Sequence, residues 1–273
     1  MSSDVEITAF KASHLDEALS LSQAAGWAHQ REDWEMLYQL STGYVVRSGT
    51  RVVGTGFRTD FGLGLSTLNM IIMAQDMRGQ GLGRRLMSSL MQPADDKTYR
   101  LISTRMGRPL YERLGFAEVG QLITLRGPVG NVPKTGSAED AKDEDRGSLI
   151  RLETNSFGGD RAAFMDWLWM HTKIAVMRKH GEVTGYAALR RFAKGYVIGP
   201  VVSSSTEDAK SLISHLAKDI EGRVLCLDVT TTSALGPRLQ TLGLDHVDAP
   251  PIMQLGHLPL NDNRQAMFSQ ALG

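Results

Sequence analysis

The stretch Arg78-Gly79-Gln80-Gly81-Leu82-Gly83-Arg84-Arg85 interleaves glycines with arginines, a combination that can hold phosphate. A helix beginning at such glycines leaves its first amide N–H groups unpaired and carries roughly half a positive charge at that end. Glycine at 79, 81 and 83 keeps Cβ atoms off the backbone, and Arg78, Arg84 and Arg85 add mobile positive charge, so a pyrophosphate could settle there. On spacing alone, an ordinary strand-to-helix turn fits the same residues.

The flanks supply the elements that would position this turn. Leu68 and Met70 to Ala74 make an apolar run too short for a membrane span, which predicts a buried strand. Beyond the glycines, Leu82, Leu86 and Leu90 recur every four residues and predict a helix with one apolar stripe. A Walker A loop needs Lys and then Ser or Thr after its second glycine, and neither is present. A dinucleotide fingerprint reads G-x-G-x-x-G at the first strand–helix unit; this chain has G-x-G-x-G after several expected strands.

A second motif follows at Pro109-Leu110-Tyr111-Glu112-Arg113-Leu114-Gly115-Phe116, preceded by a strand-like run from Arg100 to Thr104. Gly115 suits the left-handed end of a short helix. The R-x-x-G-x-G spacing resembles the coenzyme A signature of the GNAT N-acetyltransferase superfamily, and Tyr-x-x-x-Gly-Phe resembles its second signature. The resemblance covers roughly residues 5 to 126. It implies an α/β (mixed α+β) sheet flanked by helices, acetyl-CoA as acyl donor, no metal, and an amine as acceptor.

The resemblance also implies roles. Arg78, Gly79, Gln80, Gly81, Leu82, Gly83 and Arg84 would hold the pyrophosphate, and Ile71, Ile72 and Met73 would offer backbone groups to the pantetheine and thioester. Tyr111 matches the general-acid position; a phenol of pKa about 10 can protonate a thiolate of pKa about 8.5. Thr104 stands where relatives often carry asparagine, and Gln75 where many carry proline. Trp27, His29 and Asp33 fall where the first helical pair walls the acceptor site. For the amine's proton the central strand offers no carboxylate, since its polar members are Ser66, Thr67 and Asn69. Asp33, Asp60, His29 and, from the second half, Asp228 are the candidate bases. These aromatic and acidic residues would suit a cationic acceptor.

Composition bounds the rest. The chain has 273 residues, long enough for two domains. Its 30 lysines plus arginines balance 30 acids, which argues against a nucleic-acid or membrane-surface partner. The one cysteine, Cys226, lies among apolar residues and reads as a buried strand thiol, and the seven histidines show no metal-ligand spacing. No signal peptide and no long apolar run is evident, so a cytoplasmic protein is expected, as monomer or homodimer.

In order, Val5 to Phe10 reads as a strand, Ser13-x-x-Asp16 as a helix cap, and Trp34, Leu37 and Tyr38 as one face of a second helix. Tyr44 to Arg47 and Val52 to Arg58 predict paired strands, and a strand after Phe116 ends near Leu125. Residues 127–147 turn polar and rich in Gly and Pro, which predicts a linker. Beyond it the pattern repeats: Pro237 to Leu244 aligns with Pro109 to Phe116, and Glu182-Val183-Thr184-Gly185 with Arg51-Val52-Val53-Gly54. Two GNAT-like domains in tandem are expected, 1–126 catalytic and 148–273 degenerate. In the second, Thr206, Glu207 and Ala209 replace Arg78, Gly79 and Gly81, and Leu239 replaces Tyr111; the carboxylates of Glu207 and Asp208 would repel a pyrophosphate. The expected function is acetyl transfer to the primary amine of a small molecule. A non-catalytic acyl-CoA sensor is the rival, and Tyr111 argues against it.

Overall fold

The computed structural model describes residues 5–62, 64–91, 97–133, 136–261 and 263–273. The first half contains β1 (Val5–Ala9), α1 (Leu15–Ala24), α2 (Arg31–Leu40), β2 (Thr42–Ser48), β3 (Arg51–Asp60), β4 (Leu65–Met73), α3 (Leu82–Leu90), β5 (Thr98–Ile102), α4 (Arg108–Arg113) and β6 (Ala117–Pro128). The second repeats this order with β7 (Glu139–Asp140), α5 (Arg146–Phe157), α6 (Ala162–His171), β8 (Lys173–Lys179), β9 (Glu182–Phe192), β10 (Gly195–Ser203), α7 (Thr206–Ala217), β11 (Val224–Thr230), α8 (Gly236–Thr241), β12 (Asp245–Asp248), β13 (Pro251–Leu255) and β14 (Arg264–Ala266).

The described strands join in one mixed sheet, and the halves exchange strands at its centre. β5 runs parallel to β4, and β11 parallel to β10. The N-terminal part of β6 pairs with β13, while its C-terminal part, Leu122 to Pro128, pairs with β11. β13, from the second half, inserts between β5 and β6. Residues 148–273 therefore lend one strand, β13, to the sheet of the first half.

Residues 127–147 are not the expected tether. Gly127 and Pro128 close β6, Val129 and Val132 are 2% and 6% exposed in the second half's core, and α5 begins at Arg146. Gly127 reflects a close approach: a Cβ there would lie 2.2 Å from the Gly243 carbonyl oxygen. The Ser13 cap is also corrected. A 3-10 turn covers Ala12–His14, and His14 Nδ1 accepts the Lys11 N–H at 3.0 Å. On α2, Trp34 and Leu37 are buried whereas Tyr38 is exposed.

Packing follows the two sheet faces. α3 buries Leu82, Leu86, Met87 and Leu90 with Leu68, Tyr99, Leu101, Tyr111 and Met253, each such side chain worth about 1.5–3 kcal/mol. On the opposite face Phe10, Trp34, Phe57 and Met70 share a core with Leu149, Phe157, Phe164 and Phe268. An apolar core common to both halves fixes their relative placement. No described helix is long and apolar enough to cross a membrane.

Candidate active site

The glycine turn opens α3 without a side-chain cap. Gly79 and Gly81 adopt φ of +76° and +73°, the left-handed region that favours glycine, and nothing lies within 4 Å of a Cβ built on either. Among the described residues, no group accepts from the amides of Gly79 through Arg84; the first helical bond runs from Arg85 N–H to Gly81 C=O at 3.1 Å. Arg78, Gln80 and Arg84 are exposed around this open helix end, while Leu82 is buried beneath it and Gly83 packs against Leu110. Arg78 Nε donates to the Met73 carbonyl at 3.1 Å, which folds that side chain over the end of β4.

β4 and β5 then part. Their parallel pairing covers only Leu65 to Thr67 against Thr98 to Arg100, and beyond it no described strand pairs with that edge of β4. A bulge lies across from β3: Thr55 faces Ile72 and Phe57 faces Asn69, leaving Gly56 opposite both Met70 and Ile71. Met70 holds φ +50°, a conformation costing a β-carbon residue about 1–3 kcal/mol, and its carbonyl accepts from Thr55 Oγ1 at 2.9 Å. The Ala74 N–H donates to Val53 C=O, so Gly54 and Met73 are the non-hydrogen-bonded pair and Met73 turns its backbone toward the open edge. Ile72 turns its backbone toward β3 instead, so of the expected trio only Ile71, on the bulge, and Met73 remain placed to offer backbone groups.

Tyr111 lies on α4, 6% exposed, against Phe116 and Leu101. A Cβ at Gly107 would sit 2.9 Å from Tyr111 Cε2 and 3.3 Å from both the Tyr111 hydroxyl and Thr104 Oγ1. The phenol and Thr104 therefore lie side by side, and Thr104 Oγ1 also accepts the Gly107 N–H at 3.1 Å. Burial raises the phenol's pKa, which keeps it protonated at neutral pH.

On the other face of the split is a cavity of about 210 Å³ between the halves. Thr67, Arg100, Leu101 and Ile102 come from β4 and β5, Thr230 ends β11 with Thr231 and Thr232 just beyond it, and Arg264, Met267 and Gln270 close it. Among the described residues no Asp, Glu or His lines it. Arg100 and Arg264, missed in the sequence, are the charged side chains among the described residues that line it. Arg100 had a signal, a cation inside the apolar run Tyr99-Arg100-Leu101-Ile102, whereas Arg264 follows polar residues and had none.

The expected acceptor residues lie elsewhere. Asp33 is a buried brace: Oδ2 accepts the Gln30 N–H at 2.8 Å at the start of α2, and Oδ1 accepts from Arg190 Nη1 of β9 at 3.0 Å. His29 stacks edge-on with Phe192 at 5.8 Å, and burial lowers its pKa. Trp27 packs half-buried on the shared core. Asp228 stands behind the cavity wall, accepting from Thr124 and from Gln270 Nε2. Burial raises its pKa against those bonds. Asp60 pairs with Arg58, Lys97 and Ser66, which outweigh its partial burial and hold its pKa low. A cationic acceptor loses its support, because the acids proposed to greet it are committed elsewhere. Cys226 is a free thiol that burial pushes up to about 12.

The second half differs at both equivalent places. Ser205 caps α7 by accepting the Asp208 N–H at 3.4 Å. β14 sits between β10 and β11, pairing Ala266 with Val201 and with Val229, so the split is filled by the chain itself. A Cβ at Gly199 would lie 1.9 Å from the Met267 carbonyl oxygen, a measure of how closely this segment packs.

A mixed sheet that parts between β4 and β5 beside the uncapped start of α3 is the frame in which the comparisons with known proteins fall. Residues 15–127 and 149–269 each match a profile described as Acetyltransferase (GNAT) domain, and the chain belongs to this N-acetyltransferase family, with two such domains in tandem. It is 27% identical over 277 residues to the "Uncharacterized N-acetyltransferase YitH" of Bacillus subtilis (strain 168), covering 95% of each chain. A putative acetyltransferase from Pyrococcus horikoshii shares the fold at a TM-score of 0.84 and 14% identity, over 98% of this chain and 96% of that one. A tandem GNAT protein from the clavulanic acid biosynthesis pathway does so at 0.65 and 15%, over 92% and 98%.

Proposed function

We propose that this chain is an acetyl-CoA-dependent N-acetyltransferase acting on the primary amine of a small molecule. The open amino end of α3 carries the reading: amides from Gly79 to Arg84 that no described group accepts from, flanked by Arg78, Arg84 and Arg85, suit a pyrophosphate. The parted edges of β4 and β5 suit the pantetheine arm, and the backbone groups of Ile71 and Met73 would meet it. The cavity beyond suits the amine.

In this reading the amine's lone pair forms a C–N bond at the thioester carbon, and the C–S bond breaks with its electron pair on sulfur. Tyr111 gives its proton to the departing thiolate. The ammonium proton leaves through water, since no described acid or histidine lines the cavity, and the nearby charges of Arg100 and Arg264 favour its departure by lowering the amine's pKa. The second half, capped at Ser205 and filled by β14, binds no coenzyme A and serves to close the cavity.

Thiol release from acetyl-CoA over a panel of small amines tests this with wild type and Tyr111→Phe. Release should depend on the amine and fall about 10²–10⁴-fold in the variant while coenzyme A binding persists. No release with any amine, or equal rates in both proteins, would refute it.

A further inference from the structure

The cavity carries more positive charge than its surroundings balance. Arg100 is 7% exposed, and its partners are all neutral: Gln254 Oε1 accepts from Nε at 3.0 Å and from Nη2 at 2.9 Å, with the Leu258 and Pro259 carbonyls further out. Arg264, 3% exposed, donates through Nη2 to Glu153 at 2.8 Å and to Ser156 Oγ at 3.0 Å. Its Nε and Nη1 find no acceptor among the described residues. Glu153 is already shared with Arg161 at 2.9 Å and accepts a bond from Tyr186. Among the described residues these three buried guanidiniums thus have one side-chain carboxylate between them, and Arg161 also donates to the Leu272 and Gly273 oxygens. Asp228 is no substitute, because it is engaged by Thr124 and Gln270. Burial and the nearby charge of Arg264 pull Arg100 down to about 10, as like charges held close should.

A buried cation without a counter-ion is costly, and an anion entering this space would relieve two of them at once. Thr67 Oγ1, buried on the same wall, also lacks a partner among the described residues. The rest of the lining is largely apolar, and 210 Å³ admits only a small molecule. Resting on the amine-acetylating reading above, we infer that the acceptor carries a carboxylate beside its amine, an amino acid or a close analogue, and that Arg264 and Arg100 recognise that carboxylate. The planar guanidinium fork matches a carboxylate's two oxygens. The pocket lies at Thr67 and Arg100, the last paired residues before β4 and β5 part, so a carboxylate held there leaves the amine to face the split.

Two readouts test this independently. Free amino acids, their carboxamides and inorganic phosphate are titrated calorimetrically into coenzyme A-saturated protein, as wild type, Arg100→Gln and Arg100→Lys, with folding checked by circular dichroism. The same amino acids and carboxamides are assayed for thiol release from acetyl-CoA. At least one amino acid should bind about 10- to 100-fold more tightly than its carboxamide, the range expected for a charged hydrogen bond. Arg100→Gln should shrink that ratio toward one, and Arg100→Lys should retain part of it. Carboxamides binding as well as acids, or phosphate binding in preference to every amino acid, overturns the carboxylate assignment. Amine-dependent release without acid preference overturns it while leaving the transferase reading intact. Acid binding without release leaves the assignment standing and removes the transferase reading.

Discussion

Asp33→Asn separates a brace from a base. The wild-type carboxylate is 6% exposed and makes two bonds, one to the Gln30 amide and one across the halves to Arg190. Asparagine keeps an oxygen for the amide, so the helix start, worth about 1 kcal/mol, survives. What it removes is the counter-charge. Arg190 is 8% exposed and would retain only the Arg191 carbonyl at 3.2 Å and the faces of Phe192 and Phe268. Stranding a buried charge in this way costs about 3–5 kcal/mol. Urea unfolding should show that loss, and adding Arg190→Met should recover much of it, since the orphaned cation is then gone. Turnover of the folded variant should stay within about threefold of wild type. Unchanged stability with a hundredfold loss of turnover would return Asp33 to the role of base and refute the brace.

Gly107→Ala should push the Tyr111 ring aside through a contact of 2.9 Å, lowering kcat about tenfold or more with little change in coenzyme A affinity; equal kcat would detach Tyr111 from the chemistry. Glu153→Gln should cost about 3–5 kcal/mol at pH 7, measured by urea unfolding. The Glu153 carboxyl is held below its ordinary value of 4.5: burial alone would raise it, but the charges of Arg264 and Arg161 outweigh that. Its contribution is therefore complete above about pH 4.5 and is lost as pH falls through the lower folded value. The variant should show a flatter acid limb of stability against pH; an unchanged limb would contradict the assignment.

The glycine turn that opens α3 was legible because its geometry is local. Gly79 and Gly81 stand where the backbone turns left-handed, and the stripe of Leu82, Leu86 and Leu90 marks the helix whose open end they make. The short helix that carries Tyr111 and its end at Gly115 were legible for the same reason. What escaped depends on partners distant in the chain. Nothing near Asp33 announces Arg190, and nothing in β13 says that it pairs with β5 instead of staying in its own half. Gly127 and Pro128 looked like tether because glycine serves both flexible loops and close backbone approaches. Arg100 stood in plain view as a charge within an apolar strand and Arg264 did not, and only the fold brings the two to one cavity.

The most direct test of the central claim is a calorimetric titration of coenzyme A into wild type and Gly81→Glu. A glutamate there would put both a side chain at φ +73° and a negative charge at the mouth of α3. One coenzyme A per chain, lost in the variant, is the predicted result. Two sites in wild type would contradict the filled split of the second half, and undiminished binding by the variant would place the cradle somewhere other than Gly79 to Arg84.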